Sequence, residues 1–230
     1  MFYFHIKIFL ARILVTTGVY DQSNKRQLNK VTEVIDLFDH KKSFGFGGSD
    51  IIRVGATGGL LDGKPIICGG AKYTRMGQGG KYGILQDMYS ADSSEVNTEY
   101  MIVQRAYSAS VILNINKFTT NLWVTGGHDR RECGQKASEF VVIRDALELD
   151  TENQPSEIKQ LDSIEGPDLP FAICQHGMVK IKENAIYIIG GRQNDNISSD
   201  VWIVDPTNNY SVTKGPSLKT SRYEFSCSTP

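Results

Sequence analysis

Three polar loops hold the side chains best suited to chemistry in this sequence. Each follows a pair of glycines: Lys72, Tyr73 and Arg75 after Gly69-Gly70; Asp129, Arg130, Arg131 and Glu132 after Gly126-Gly127; Arg192, Gln193, Asn194 and Asp195 after Gly190-Gly191. A guanidinium presents a rigid fork of donors that matches a carboxylate bidentately, so Arg130, Arg131 and Arg192 on one face would recognise an acidic group. Two readings stand for these charges, a solvated loop and an anion-recognising surface.

Groups for covalent or acid–base chemistry are sparse. The four histidines, His5, His40, His128 and His176, form no HExxH pattern and have no neighbouring carboxylate cluster. No GxSxG elbow or SxDxGxxW box occurs, and Cys68, Cys133, Cys174 and Cys227 show no CxxC spacing, so neither a zinc site nor a redox motif is indicated. The Gly-rich stretches 45–48 and 77–80 lack the GK[ST] ending and the following helix that a phosphate cradle needs. His128, just after a glycine pair, reads either as ligand-facing or as solvated. No catalytic residue, metal or cofactor is expected.

The loops must be positioned by what precedes them. Apolar runs end in the glycine pairs: IICGG at Ile66 to Gly70, WVTGG at Trp123 to Gly127, YIIGG at Tyr187 to Gly191, and a degenerate LVTTG at Leu14 to Gly18. The last glycines are spaced 70−18 = 52, 127−70 = 57 and 191−127 = 64 residues apart, a period expected of stacked four-stranded units. Segments opening with small residues precede each run across Asp-Gly or Asn-containing turns, which marks hairpins. They are Val54 to Thr57, Tyr107 to Ser110 and His176 to Met178. Third strands are expected at Thr32 to Leu37, Ser138 to Ile143 and Asp200 to Asp205, and weaker fourth strands before the Gly-Pro-x-Leu markers at Gly166 and Gly215, which are 215−166 = 49 residues apart. The glycine pairs read as structural, because Gly accepts unusual φ and lets backbones approach closely where such units converge on an axis.

With these elements the chain resembles the kelch-repeat β-propellers, including the central domain of the galactose oxidase type. The resemblance rests on the small-residue strand, the apolar strand ending in Gly-Gly, the third strand, and Arg105 and Arg222 a few residues before Ser108-Ala109-Ser110 and Ser226-Cys227-Ser228. It departs at the first unit's Thr17-Gly18 and at a second-unit third strand reduced to LQDMYS. It implies an all-β propeller of about four blades, as a partial or irregular ring, with units near residues 13–50, 51–104, 105–169 and 170–221 and a further start at 222–230. It also implies a binding face made by the loops around the axis, with Tyr73, Arg75, Arg105, Tyr107, Arg130, Arg131, Arg192, Asn194, Arg222 and Tyr223 as candidate contacts. Arg192-Gln193-Asn194 is similar to the GG-R-x-N arrangement with which some kelch domains hold acidic peptides. A protein or peptide partner follows as the expectation. A propeller enzyme of the carbohydrate-active or oxidase type, or the substrate-recognition part of a ubiquitin-ligase adaptor, is the alternative.

Composition fits a folded all-β domain. The 230 residues are 40% hydrophobic and 22% charged with a net charge of −1, which gives no bias toward nucleic acid or anionic membrane. Residues 1–12 read as an apolar strand or a leader. Alternation of Phe2, Phe4, Ile6, Ile8 and Leu10 favours the strand, and Lys7 and Arg12 interrupt any membrane span. That segment is expected to fill the first unit's innermost slot, slightly in preference to ring closure by the tail strand Arg222 to Ser228 beside Ile13 to Val15. Leu149 to Gln160 reads as a long loop. Cys68 and Cys227 read as small buried hydrophobes. Two sequons, Asn196-Ile197-Ser198 and Asn209-Tyr210-Ser211, fall in loops and would be glycosylated in a secreted chain. Location is open between the cytoplasm, marginally favoured, and secretion.

Overall fold

The computed structural model describes residues 3–9, 12–22, 25–36, 43–46, 53–62, 64–73, 82–90, 96–97, 99–114, 120–128, 134, 136–149 and 155–227. Among them every regular element is a strand. Among the described residues the chain forms four successive large sheets, each built on an antiparallel meander of four strands in sequence order, and two small ones, Arg53–Val54 with Ala71–Tyr73 and Tyr82–Ile84, and Arg192–Gln193 with Asn196–Ile197. The first joins Tyr3–Phe9, Arg12–Gln22, Lys25–Asp36 and Ser43–Phe46. The second joins Thr57–Leu61, Lys64–Cys68, Asp87–Ser90 and Glu99–Tyr100. Ala109–Asn114, Thr120–Thr125, Ser138–Leu149 and Pro155–Glu165 form the third, which gains Val96–Asn97 as a parallel edge strand. Gly177–Lys182, Ala185–Ile189, Val201–Asp205 and Ser211–Lys214 form the fourth.

The sheets stack face to face through their first strands. Ala109–Asn114 packs on Thr57–Leu61 to one side and on Gly177–Lys182 to the other, and Tyr3–Phe9 touches Thr57–Leu61. A sheet sandwiched on both faces needs apolar residues on both, so its central strand reads as a continuous run rather than an alternation. Leu122-Trp123-Val124 shows this. Leu122 and Val124 enter a core with Leu61, Ile66, Met88, Met101 and Leu161, while Trp123 enters the next core with Leu169, Ile173, Ile186, Ile188 and Val204. The Trp123 indole N–H donates to Ser138 Oγ at 2.9 Å, which satisfies the one polar group that this side chain carries inside.

One expectation is corrected. Leu149 to Gln160 is largely strand: Ser138–Leu149 and Pro155–Glu165 pair along their whole length, with Leu149 opposite Pro155. Outer strands face water and accept a polar composition, so charge density there does not signal a loop. In the first sheet the slot beside Arg12–Gln22 is filled by Tyr3–Phe9, as favoured over closure by the tail, with Ile6 opposite Val15 and Ile8 opposite Ile13, and the described tail residues add no strand to it. Phe225 and Cys227 lie instead against the fourth sheet at Gly177.

Candidate functional site

The glycine pairs are the joints between neighbouring sheets. Gly190 and Gly191 take φ of 57° and 86°, values that L side chains rarely adopt. The Gly191 N–H donates to Arg222 O at 2.7 Å, and a Cβ on Gly190 would lie 2.6 Å from that same carbonyl. The same joint recurs from Gly70 to Arg105 O at 2.9 Å and from Gly127 to Ile173 O at 2.8 Å. Each second strand thereby ends in a bond to a residue a few positions before the next unit's small-residue strand or its counterpart.

Arg105 lies beneath this joint rather than on the surface. It is fully buried, donates through Nε to Glu139 Oε1 at 2.8 Å, and reaches Gly126 O at 2.6 Å and Ala137 O at 2.9 Å. Burial draws its pKa down while Glu139 opposes that shift. Its expected binding role is therefore corrected to a structural one, because a fully buried guanidinium, ion-paired with Glu139 at 2.7 Å, lies out of a partner's reach. Arg53 repeats the arrangement one unit earlier, bonding Gly69 O at 2.9 Å and the Asp87 carboxylate. His176 is also buried, with Nε2 2.9 Å from Thr125 Oγ1; burial first, and nearby Arg105 second, lower its pKa to about 3.

Around the axis runs a relay of backbone bonds. Tyr107 N–H donates to Gly55 O at 2.6 Å, Gln175 N–H to Tyr107 O at 2.8 Å and Glu224 N–H to Gln175 O at 3.0 Å. All four residues are left-handed, with φ of 66°, 56°, 54° and 53° along the chain. Gln175 Nε2 further donates to Glu224 Oε1. Non-glycine residues in this region are uncommon and persist where the surroundings over-determine them.

Outside the Gly190-Gly191 joint, Arg192 and Tyr223 come together. Arg192–Gln193 pairs with Asn196–Ile197 as a two-stranded hairpin, turned at Asn194 with φ of 55°. The Arg192 backbone bonds Cys174 in both directions, at 2.8 and 3.0 Å, and Cys174 is itself disulfide-bonded. The guanidinium carbon stands 5.8 Å from the Tyr223 ring centroid, within cation–π range. Asp195, fully exposed, is 3.7 Å from Arg192 Nη2, a loose contact.

A family model for the Kelch motif matches residues 181–212, the stretch holding Gly190-Gly191, this hairpin and the third strand. Among solved structures the chain is similar to that of YjhT, a kelch-type propeller, at 13% identity and a TM-score of 0.63, over 96% of this chain and 66% of that one. The chain has an all-β propeller fold and carries a Kelch motif at residues 181–212. It spans 66% of the length of YjhT. Among curated proteins none matches its sequence.

The propeller gathers only some of the expected contact residues. Arg192, Asn194 and Tyr223 share the Gly190-Gly191 joint, and the exposed Arg222 supplies the carbonyl that Gly191 binds. Tyr107 sits half-buried on the axial rim, its ring against Gly55. Tyr73 ends the short strand Ala71–Tyr73, while Arg75, Arg130 and Arg131 lie outside the described residues. Among the described residues no group of three or more His, Cys, Asp or Glu could hold a metal ion, and no helix is long and apolar enough to cross a membrane. Sequence reasoning passed over Arg53, Gln175, Glu224 and the Cys174 disulfide. Arg53 carried a usable signal, since it stands 105−53 = 52 residues before Arg105 at the same offset from a small-residue segment.

Proposed function

We propose that this propeller is a protein-interaction module whose recognition element is Arg192, and that it takes an acidic peptide or protein segment. The reading rests on one observation: the Arg192 guanidinium is held over the Tyr223 ring while its carboxylate neighbour Asp195 is loose and fully exposed. Both backbone bonds to the disulfide-bonded Cys174 fix the residue before any partner arrives, which lowers the ordering cost of binding. A planar fork backed by an aromatic ring suits carboxylate recognition better than a point charge would.

The test is fluorescence anisotropy of the full chain with labelled Asp- and Glu-rich peptides against amide-substituted controls. Arg192→Ala should weaken the acidic peptides roughly ten- to hundredfold, and Arg192→Lys should recover only part of that. Equal binding of acidic and amide peptides, or an unaffected Arg192→Ala variant, overturns the proposal.

A further inference from the structure

We infer that this chain matures in an oxidising secretory compartment and carries N-linked glycans on Asn196 and Asn209. These asparagines open the two Asn-x-Ser sequences of the chain. Both are exposed, and neither side chain is engaged in a hydrogen bond among the described residues. Asn196 lies in the short outer strand of the Arg192 hairpin. Asn209 lies in the turn between Val201–Asp205 and Ser211–Lys214, at a φ of 48° that asparagine tolerates better than most residues. The two stand at opposite ends of the fourth sheet: one follows the Gly190-Gly191 joint, and the other caps the far end of its third strand. The folded propeller can therefore carry a bulky, solvated group at each without displacing a packed side chain.

The cysteines specify the compartment. A disulfide at Cys174 persists where the surroundings oxidise and is lost in the reducing cytosol. Two further cysteines are shielded from that oxidation: Cys68 is fully buried, and burial raises the pKa of the Cys227 thiol, which keeps its reactive thiolate scarce. In the transfer, Nδ2 of each asparagine attacks the anomeric carbon of an oligosaccharide activated as a polyprenyl pyrophosphate. The N–C bond forms, the C–O bond to pyrophosphate breaks with its electron pair leaving on phosphate, and the amide proton passes to a base of the transferase.

The experiment is secretion of the full chain from a eukaryotic cell behind a secretory leader, with the product digested by an amidase that cleaves N-glycans from asparagine. Two single-glycan steps in apparent mass are expected. Asn196→Gln and Ser198→Ala should each remove one step, and Asn209→Gln and Ser211→Ala the other, so that misfolding of any one variant leaves a second reporter. Cys174 in the untreated product should resist alkylation and become labelled after reduction. A secreted product with a β-type circular dichroism spectrum and fewer than two glycans, or with Cys174 labelled before reduction, overturns the inference.

Discussion

Removing Arg105 and Glu139 one at a time and then together tests whether the buried ion pair or its hydrogen bonds hold the second joint. Arg105→Leu leaves the Glu139 carboxylate enclosed without its cation, and Glu139→Leu leaves the guanidinium enclosed without its anion; breaking a buried pair from either side costs about 3–5 kcal/mol. The double variant has no stranded charge. What it retains is three groups that lose a partner: Gly126 O, which loses the Arg105 donor, Ile102 N–H, which loses Glu139 Oε2 at 2.8 Å, and the rotatable Ser163 hydroxyl, which loses the same oxygen. Ala137 O keeps the Gly126 N–H. Each orphan costs about 1–3 kcal/mol, so the double variant should be no less stable than the worse single one and far more stable than additivity predicts. The fourth unit supplies a natural comparison: Ile173 occupies the arginine position inside an apolar core, and Trp202 takes the place of Glu139 in the strand register. Equilibrium unfolding in urea, followed by fluorescence of Trp123 and Trp202, gives all four corners of the cycle. Additive losses would refute the reasoning, since they would mean that the two charges do not depend on each other.

Three further outcomes are expected. His176 is held neutral in the fold with its pKa near 3, so its contribution is complete above the unfolded value of about 6.5 and is lost as pH falls toward 3, at about 1.4 kcal/mol per pH unit; an imidazole titrating near 6.5 in the NMR spectrum of the folded chain contradicts this. Gly191→Val should cost roughly 1–3 kcal/mol or more, from its φ of 86° and a Cβ 2.7 Å from that of His176, and an unmoved urea midpoint would show that the joint does not constrain this residue. Deleting residues 222–230 removes the partners of Gly191 N–H and Gln175 O and uncovers Gly177, so the unfolding temperature should drop; no change would mean that this packing contributes nothing.

The repeat was legible because its cause is local. Leu122-Trp123-Val124 must be apolar on both faces and must stop at a residue that can turn left-handed, so Gly126 and Gly127 announce a strand end whatever the rest of the unit does. The roles of the polar residues were not legible in that way. Arg105 and Arg192 are the same residue type near the same motif, yet one is enclosed by Glu139 and the other stacks outside on Tyr223. The difference lies in which neighbour covers each, and coverage comes from residues tens of positions away. Gln175 and Glu224 escaped notice for the converse reason: their backbone, not their side-chain type, ties one unit to the next. The Leu149 to Gln160 stretch was misread because strand pairing, such as Leu149 opposite Pro155, is a backbone property that a charged composition does not forbid.

The axial relay bears on how such a chain can change length. Its members stand 107−55 = 52, 175−107 = 68 and 224−175 = 49 residues apart, yet each donates the same single bond to the member before it. The connection senses one peptide group in one conformation and is blind to how much chain separates it from the next. Segments between relay members are accordingly interchangeable parcels. A unit transplanted with cuts at Tyr107 and Gln175 would meet its new neighbours through a main-chain contact, to which the Gln175–Glu224 pair alone adds a side-chain bond, and segments of very different length could be exchanged between units while keeping that main-chain contact.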